Sequence, residues 1–245
     1  HTLRATWDTQ NNKWYHQYKD TKIAPKDWLH WQNGGQRWNT MCADCHSTDL
    51  QKNYNLKSQK FDTKFKTINV GCESCHGGGS EHVAWVKNDG KGNPRIFKPE
   101  NQTTILNQCA PCHARRSKMT PNPKPWDSFS QNYLVQNLDP AFYELDGQIK
   151  EEDYVFGSFL SSKMYQEGVT CLDCHNPHSL KLKTKGNKLC LSCHEPQYDS
   201  KVHHKHEMNT ESSECVNCHM TGKNYMGHDF RRDHSFRIPR PDQSE

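Results

Sequence analysis

Residues 168–221 read GVTCLDCHNPHSLKLKTKGNKLCLSCHEPQYDSKVHHKHEMNTESSECVNCHMT, and the pattern Cys-x-x-Cys-His occurs in this one stretch three times. Its copies are Cys171, Cys174 and His175; Cys190, Cys193 and His194; and Cys215, Cys218 and His219. Outward toward the N-terminus it recurs as CADCH (Cys42, Cys45, His46), CESCH (Cys72, Cys75, His76) and CAPCH (Cys109, Cys112, His113). Together the copies use all 12 cysteines of the chain. The pattern is the attachment signature of a c-type haem: two thiols three apart on one turn reach the two vinyl groups as thioethers, and the adjacent imidazole turns under the ring to bind iron. Paired C-x-x-C units could instead hold zinc, or the cysteines could form a disulfide framework. Neither requires the His. With 16 His in 245 residues, six matches out of six would arise by chance with a probability on the order of 10⁻⁷, so the expected cofactors are six haem c groups.

Composition leads to the same place. Only 32% of the chain is hydrophobic and its mean hydropathy is −1.10. Leu, Ile, Val and Phe make up about 15%, a level at which chains fold only when something else supplies apolar bulk. Haem faces are expected to form most of the core, with seven Trp and nine Tyr packing around them. A net charge of +4, from 32 basic residues scattered among 28 acidic ones, argues against a nucleic-acid role. No stretch approaches the roughly 20 apolar residues of a spanning helix, so no transmembrane segment is expected. Thioether formation needs reduced thiols outside the cytoplasm, which points to a periplasmic or extracellular location. The chain begins at His1 with neither an initiator Met nor a signal segment, as a processed form or a portion of something longer would.

Spacings between successive first cysteines are 30, 37, 62, 19 and 25 residues, too irregular for a tandem repeat. The long gap holds MTPNPKPWD (Met119–Asp127), a Pro-rich connector, and then FYELDGQIKEEDYVF, where Asp146-Gly147 predicts a hairpin. Two lobes are expected: 1–118 with haems one to three and 161–245 with haems four to six, joined by 119–160. The predicted fold class is a multihaem cytochrome c of short α-helices and coil with a few small β-hairpins, its core formed by six packed haems. Short helices should begin at or just before each motif, for instance from Ser212 or Ser213 into CVNCH. LRATW and WYHQY around Asn11-Asn12 predict a further hairpin.

Ten histidines lie outside the motifs, and six would give every iron a second axial ligand. His82 follows a glycine run, with Ser80 placed to cap a short helix carrying it and Trp85. His178 in CHNPH is aimed by the Pro177 turn away from its own haem. His234 stands beside Asp233, which could orient its ring, among Arg231, Arg232, Arg237 and Arg240, which could pair with propionates. His30, in DWLHWQNGG, sits on one or two helical turns ended by Gly34, with Trp28 and Trp31 placed to cover a ring. His16 lies on the second hairpin strand, and the sixth candidate comes from HHKH, as His204 or His203. His1 and His228 are left spare.

WNTMCADCHSTDLQKNY, VGCESCHGGGSEHVAW, CAPCHARRS, DGQIKEEDYVFGSFLSSKMYQEGVTCLDCHNPHS and NYMGHDFRRDHSFRIPRPD resemble bacterial multihaem c-type cytochromes, often with tetratricopeptide repeats, distantly akin to the tetrahaem cytochrome of ammonia oxidisers. The resemblance implies bis-histidine haems in stacked and edge-on arrangements, used for electron transfer. Its members usually carry a further haem motif upstream and helical repeats downstream. Three functions are open. The first is an electron carrier or conduit passing electrons to redox partner proteins or extracellular acceptors. The second is a filament subunit, with His1 or His16 ligating a haem of the next copy. The third is a reductase of nitrite, hydroxylamine or a sulfur oxyanion, which would need one open iron.

Overall fold

The computed structural model describes residues 1–9, 11–136, 138–151, 154–226, 229–240 and 242–243; His228 lies outside them, as do Glu152 and Asp153 of the FYELDGQIKEEDYVF stretch. Its helices are α1 (Ala43–His46), α2 (Cys72–His76), α3 (Ser80–Lys87), α4 (Gln102–His113), α5 (Phe129–Asn132), α6 (Val155–Leu160), α7 (Lys163–Gln166), α8 (Cys171–Cys174), α9 (Lys201–His204) and α10 (Cys215–His219). Antiparallel strand pairs of two to four residues join them. Short helices and small strand pairs are the architecture the sequence predicts.

The chain divides into two compact units. One comprises His1–Pro99 and Lys118–Leu134 with a short piece at Met226, and holds the first two motifs. It opens on the predicted hairpin, Ala5–Asp8 against Lys13–His16, with Trp7 opposite Trp14. Asn12 takes φ 51° in its turn, a conformation Asn tolerates better than most residues. The first two motifs are tied together. Ser47–Thr48, directly after α1, pairs with Thr67–Ile68 just before α2, and Thr48 Oγ1 accepts from the Gly71 amide at 2.8 Å. Within the motif itself, buried Asp44 meets the Lys118 ammonium at 3.0 Å. Replacing Lys118 by Met should cost about 3 kcal/mol, because removing one partner leaves charge in the interior. The check is the melting temperature of the haem-loaded protein, which should fall by several degrees.

The other unit comprises Glu100–Ser117, Val135–Tyr225 and Asp229–Glu245, and holds the remaining four motifs. Helix α4 starts at a capping box, in which Asn101 Oδ1 accepts from the Thr104 amide at 3.0 Å, and carries the third motif on its last turn. Pro111 inside that turn lacks an N–H, and its carbonyl is satisfied by the Arg116 guanidinium at 2.6 and 2.8 Å. Helix α8 begins at a second capping box, Thr170 with Asp173. The predicted Asp146-Gly147 hairpin is present as a tight turn with Gly147 at φ 85° and Tyr143 bridged to Ile149.

Several local expectations are corrected. Ser213 does not cap α10; it is buried in a separate 3₁₀ turn held by Thr210, and α10 starts after Glu214. The Cys215 amide, which needs an acceptor there, donates to Asn187 Oδ1 at 2.9 Å, so the cap comes from a distant side chain. Ser80 is the first residue of α3 and Gly79 its cap. Around His30 the chain makes successive i to i+3 turns rather than an α-helix. Trp28 lies against Gly34 so closely that a Cβ there would meet its ring at 2.1 Å.

The polypeptide core is thin. Leu50, Leu106, Ile149, Phe129, Phe156 and Phe159 are buried, but among the described residues the largest side chains less than 2% exposed are Ser158 and Ser162. Five of the seven tryptophans, Trp7, Trp14, Trp28, Trp31 and Trp126, are exposed. Among the described residues no helix is long and apolar enough to cross a membrane.

Candidate haem attachment sites

None of the twelve cysteines forms a disulfide, and among the described residues no three His, Cys, Asp or Glu side chains converge as a metal cage would require. Five motifs begin on or run through a helical turn: α1, α2, the end of α4, α8 and α10; the fifth motif lies in a 3₁₀ turn at Cys190–Ser192. Either turn brings both thiols to one side with the His beside them.

The imidazoles are oriented by main-chain carbonyls. His76 Nδ1 donates to Phe97 O at 2.7 Å and His82 Nδ1 to Pro94 O at 2.7 Å, so one loop holds both rings. His219 Nδ1 donates to Arg237 O at 2.8 Å and His234 Nδ1 to Arg232 O at 2.9 Å. A carbonyl only accepts, so Nδ1 carries a proton, and in the neutral ring Nε2 then holds the lone pair that a metal would take. This is the arrangement that fixes the tautomer of a ligating His.

Two histidine pairs face one another across a measured gap. His175 and His234 have ring centres 6.4 Å apart and planes 21° apart; His203 and His219 are 6.2 Å and 9°. An imidazole–metal bond of about 2.0 Å, plus about 1.1 Å from nitrogen to ring centre, places two imidazoles on opposite faces of one metal about 6.2 Å apart. Burial is the main cause of lowered pKa values at His113, His175 and His234, which favours the neutral, ligating form. For His113 and His234 the neighbouring imidazoles act in the same direction, and these three rings share one neighbourhood.

The other candidates stand differently. His16, His30 and His204 each accept a backbone N–H on Nδ1, from Tyr18, Gln32 and His206 at 3.1, 3.5 and 3.2 Å. The neutral ring then carries its proton on Nε2, and ligation through that atom requires the bond to be given up. His204 and His206 rings are 6.3 Å apart, and His204 Nε2 is buried without a hydrogen-bond partner. His178 is exposed on the turn nucleated by Asn176 Oδ1. His46 and His194 are exposed.

Asp233 does not orient the His234 ring. Its carboxylate accepts from the Ser235 and Ile149 amides at 2.7 and 3.1 Å, anchoring the segment on which His234 sits. The arginines find protein partners: Arg232 donates to Val216 O, Met220 O and Asn217 Oδ1, Arg231 pairs with Asp229, Arg240 with Asp242, and Arg237 with buried Asp146 at 3.2 Å. Carbonyl partners such as Phe97 and Arg237 escaped the sequence reading because a main-chain oxygen carries no residue signature.

Successive motifs of the second unit are packed together: α4 lies against α8, and Asn187, just before the fifth motif, donates to Ser213 O at 2.9 Å and accepts from the Cys215 amide at 2.9 Å, tying the fifth motif to the sixth. Burial pushes the Cys190 thiol up to about 11. In the first unit Trp126 packs on Gly77, directly after His76, and meets Phe97 edge-on at 6.2 Å. Paired thiols on one turn, imidazoles held through Nδ1 by carbonyls and exposed aromatic walls are the donor set and surface that haem c fits. The residues that would hold it are the twelve cysteines and the six motif histidines.

Residues 3–77 match the family model described as cytochrome c554 and c-prime, and residues 163–198 match the doubled CXXCH motif. Among solved structures the chain is similar to the outer cell wall cytochrome OcwA, at 16% identity and a TM-score of 0.62, over 98% of this chain and 62% of that one. It also matches the undecahaem cytochrome from the S-layer of Carboxydothermus ferrireducens, at 18% identity and a TM-score of 0.47, over 96% of this chain and 42% of that one. The chain thus spans less than two thirds of either. No curated protein matches it.

Proposed function

We propose that this chain, a multihaem c-type cytochrome, is a six-haem electron conduit. The observation that carries the proposal is the packing of motifs in the second unit, α4 against α8 and the fifth motif tied to the sixth through Asn187, which would hold adjacent haem edges close enough for electrons to pass along them. Haem supplies the one-electron chemistry; the polypeptide attaches, orients and insulates it. His234 would complete the axial pair of the fourth haem with His175, and His203 that of the sixth with His219. His82 is proposed as a distal ligand in the first unit, its ring fixed by Pro94. His16, His30, His178 and His204 are the candidates for the remaining irons. Imidazole on both faces would close the axial positions and leave iron able to exchange electrons without binding substrate, the property of a conduit rather than a reductase. A periplasmic or extracellular location fits the chemistry of thioether formation.

The test is the haem count. Mass spectrometry of the denatured, matured protein should show six covalently bound haems, and a pyridine haemochrome assay should give the same number. A value below six per chain in fully matured protein would refute the assignment of every motif.

A further inference from the structure

Between Pro177 and Cys190 the chain carries four lysines, Lys181, Lys183, Lys185 and Lys188, and no carboxylate. All four are exposed, and none has a carboxylate within ion-pairing distance among the described residues. The segment is tied to the fourth motif: Lys181 and Leu182 pair with Asn176 and His175, and the Lys183 amide donates to Cys174 O at 2.9 Å. It then runs through the 3₁₀ turn Gly186–Lys188 into the fifth motif, whose Cys193 and His194 are exposed. Only Lys181 and Leu182 are strand, and Lys183 follows directly in a bend, so the two lysines stand on one short exposed stretch. The nearest upstream acid, Asp173, is occupied by the Thr170 amide and hydroxyl. Asp199, Glu211 and Glu214 line a groove with Lys185 and Lys188, which leaves Lys181 and Lys183 as the uncompensated pair.

Resting on the conduit reading above, we propose that Lys181 and Lys183 form an entry port for small polyanionic metal chelates, steering them to the haems that the flanking fourth and fifth motifs would hold. Uncompensated positive charge raises the local concentration of a small multivalent anion, whereas so short a stretch falls far short of the roughly 800 Å² a protein partner covers. The step is outer-sphere. One electron leaves a ferrous haem, which becomes ferric, and reduces the chelated ferric ion to ferrous; no bond or proton moves. The competing role for such lysines is to block edge-to-edge strand pairing, which any charge of either sign would serve.

That difference sets the experiment. The fully reduced, haem-loaded protein is mixed in a stopped-flow instrument with hexacyanoferrate(III), a trianion, or hexaammineruthenium(III), a trication. In the K181E/K183E variant, oxidation by the anion at low ionic strength should slow at least about tenfold, oxidation by the cation should be unchanged or faster, and the difference should collapse at high salt. K181Q/K183Q should move in the same direction by less. Unchanged anion rates, or equal slowing of both probes in both variants, would overturn the port. Failure of the conduit reading is visible separately, in a haem count below six or carbon monoxide uptake by the unmodified protein.

Discussion

Protein made without haem attachment is expected to be unfolded: no cooperative thermal transition, a far-ultraviolet spectrum close to coil, and rapid proteolysis along the whole chain. The cause lies in the burial pattern. Among the described residues no large apolar side chain is fully buried, and Trp14, Trp28 and Trp126 are 68%, 60% and 55% exposed. Among the described residues no helix exceeds twelve residues, and eight have six or fewer. Isolated helices that short do not hold themselves together in water, since nucleation costs more than so few bonds return. Their stability must come from packing, and the surfaces available to pack on are haem faces. Heat-capacity and circular dichroism scans of apoprotein and haem-loaded protein, side by side, provide the check. A cooperative melt of the apoprotein would contradict this account.

His234→Ala should have the largest local effect. The ring lies opposite His175, is held on Nδ1 by Arg232 O, and sits on a backbone anchored by Asp233 to Ile149 and by its own amide to Ser158 Oγ at 3.3 Å. Removing the imidazole leaves those anchors in place and opens one axial position. One haem of the six is then expected to turn from low-spin to high-spin, and the reduced variant to take up about one equivalent of carbon monoxide. The unmodified protein should take up almost none. Electron paramagnetic resonance and carbon monoxide difference spectra measure both changes. An unaltered spectrum in His234→Ala would return this residue to a packing role, and stoichiometric uptake by the unmodified protein would turn the conduit into a reductase.

The sequence determined the attachment chemistry. Each Cys-x-x-Cys-His carries its function within five residues, because thioether spacing and the adjacent axial ligand are properties of one local turn. Hairpins at Asn11-Asn12 and Asp146-Gly147 were legible for the same reason: the turn residues that make them stand next to each other. The capping box from Thr170 to Asp173 is likewise local, though it went unread beside the louder haem signal.

What only the tertiary structure decided is which histidine faces which. His203 rather than His204 lies opposite His219, and His234 lies opposite His175, across segments far apart in the chain. Asn187 caps α10 from outside it, and Asp233 anchors backbone instead of a ring. In each case the partner is a main-chain carbonyl, an amide or a side chain from a distant segment. Such partners have no sequence spacing to betray them. The ring of His219 meets Arg237 O and lies opposite His203, and both contacts are set by where the backbone of other segments passes.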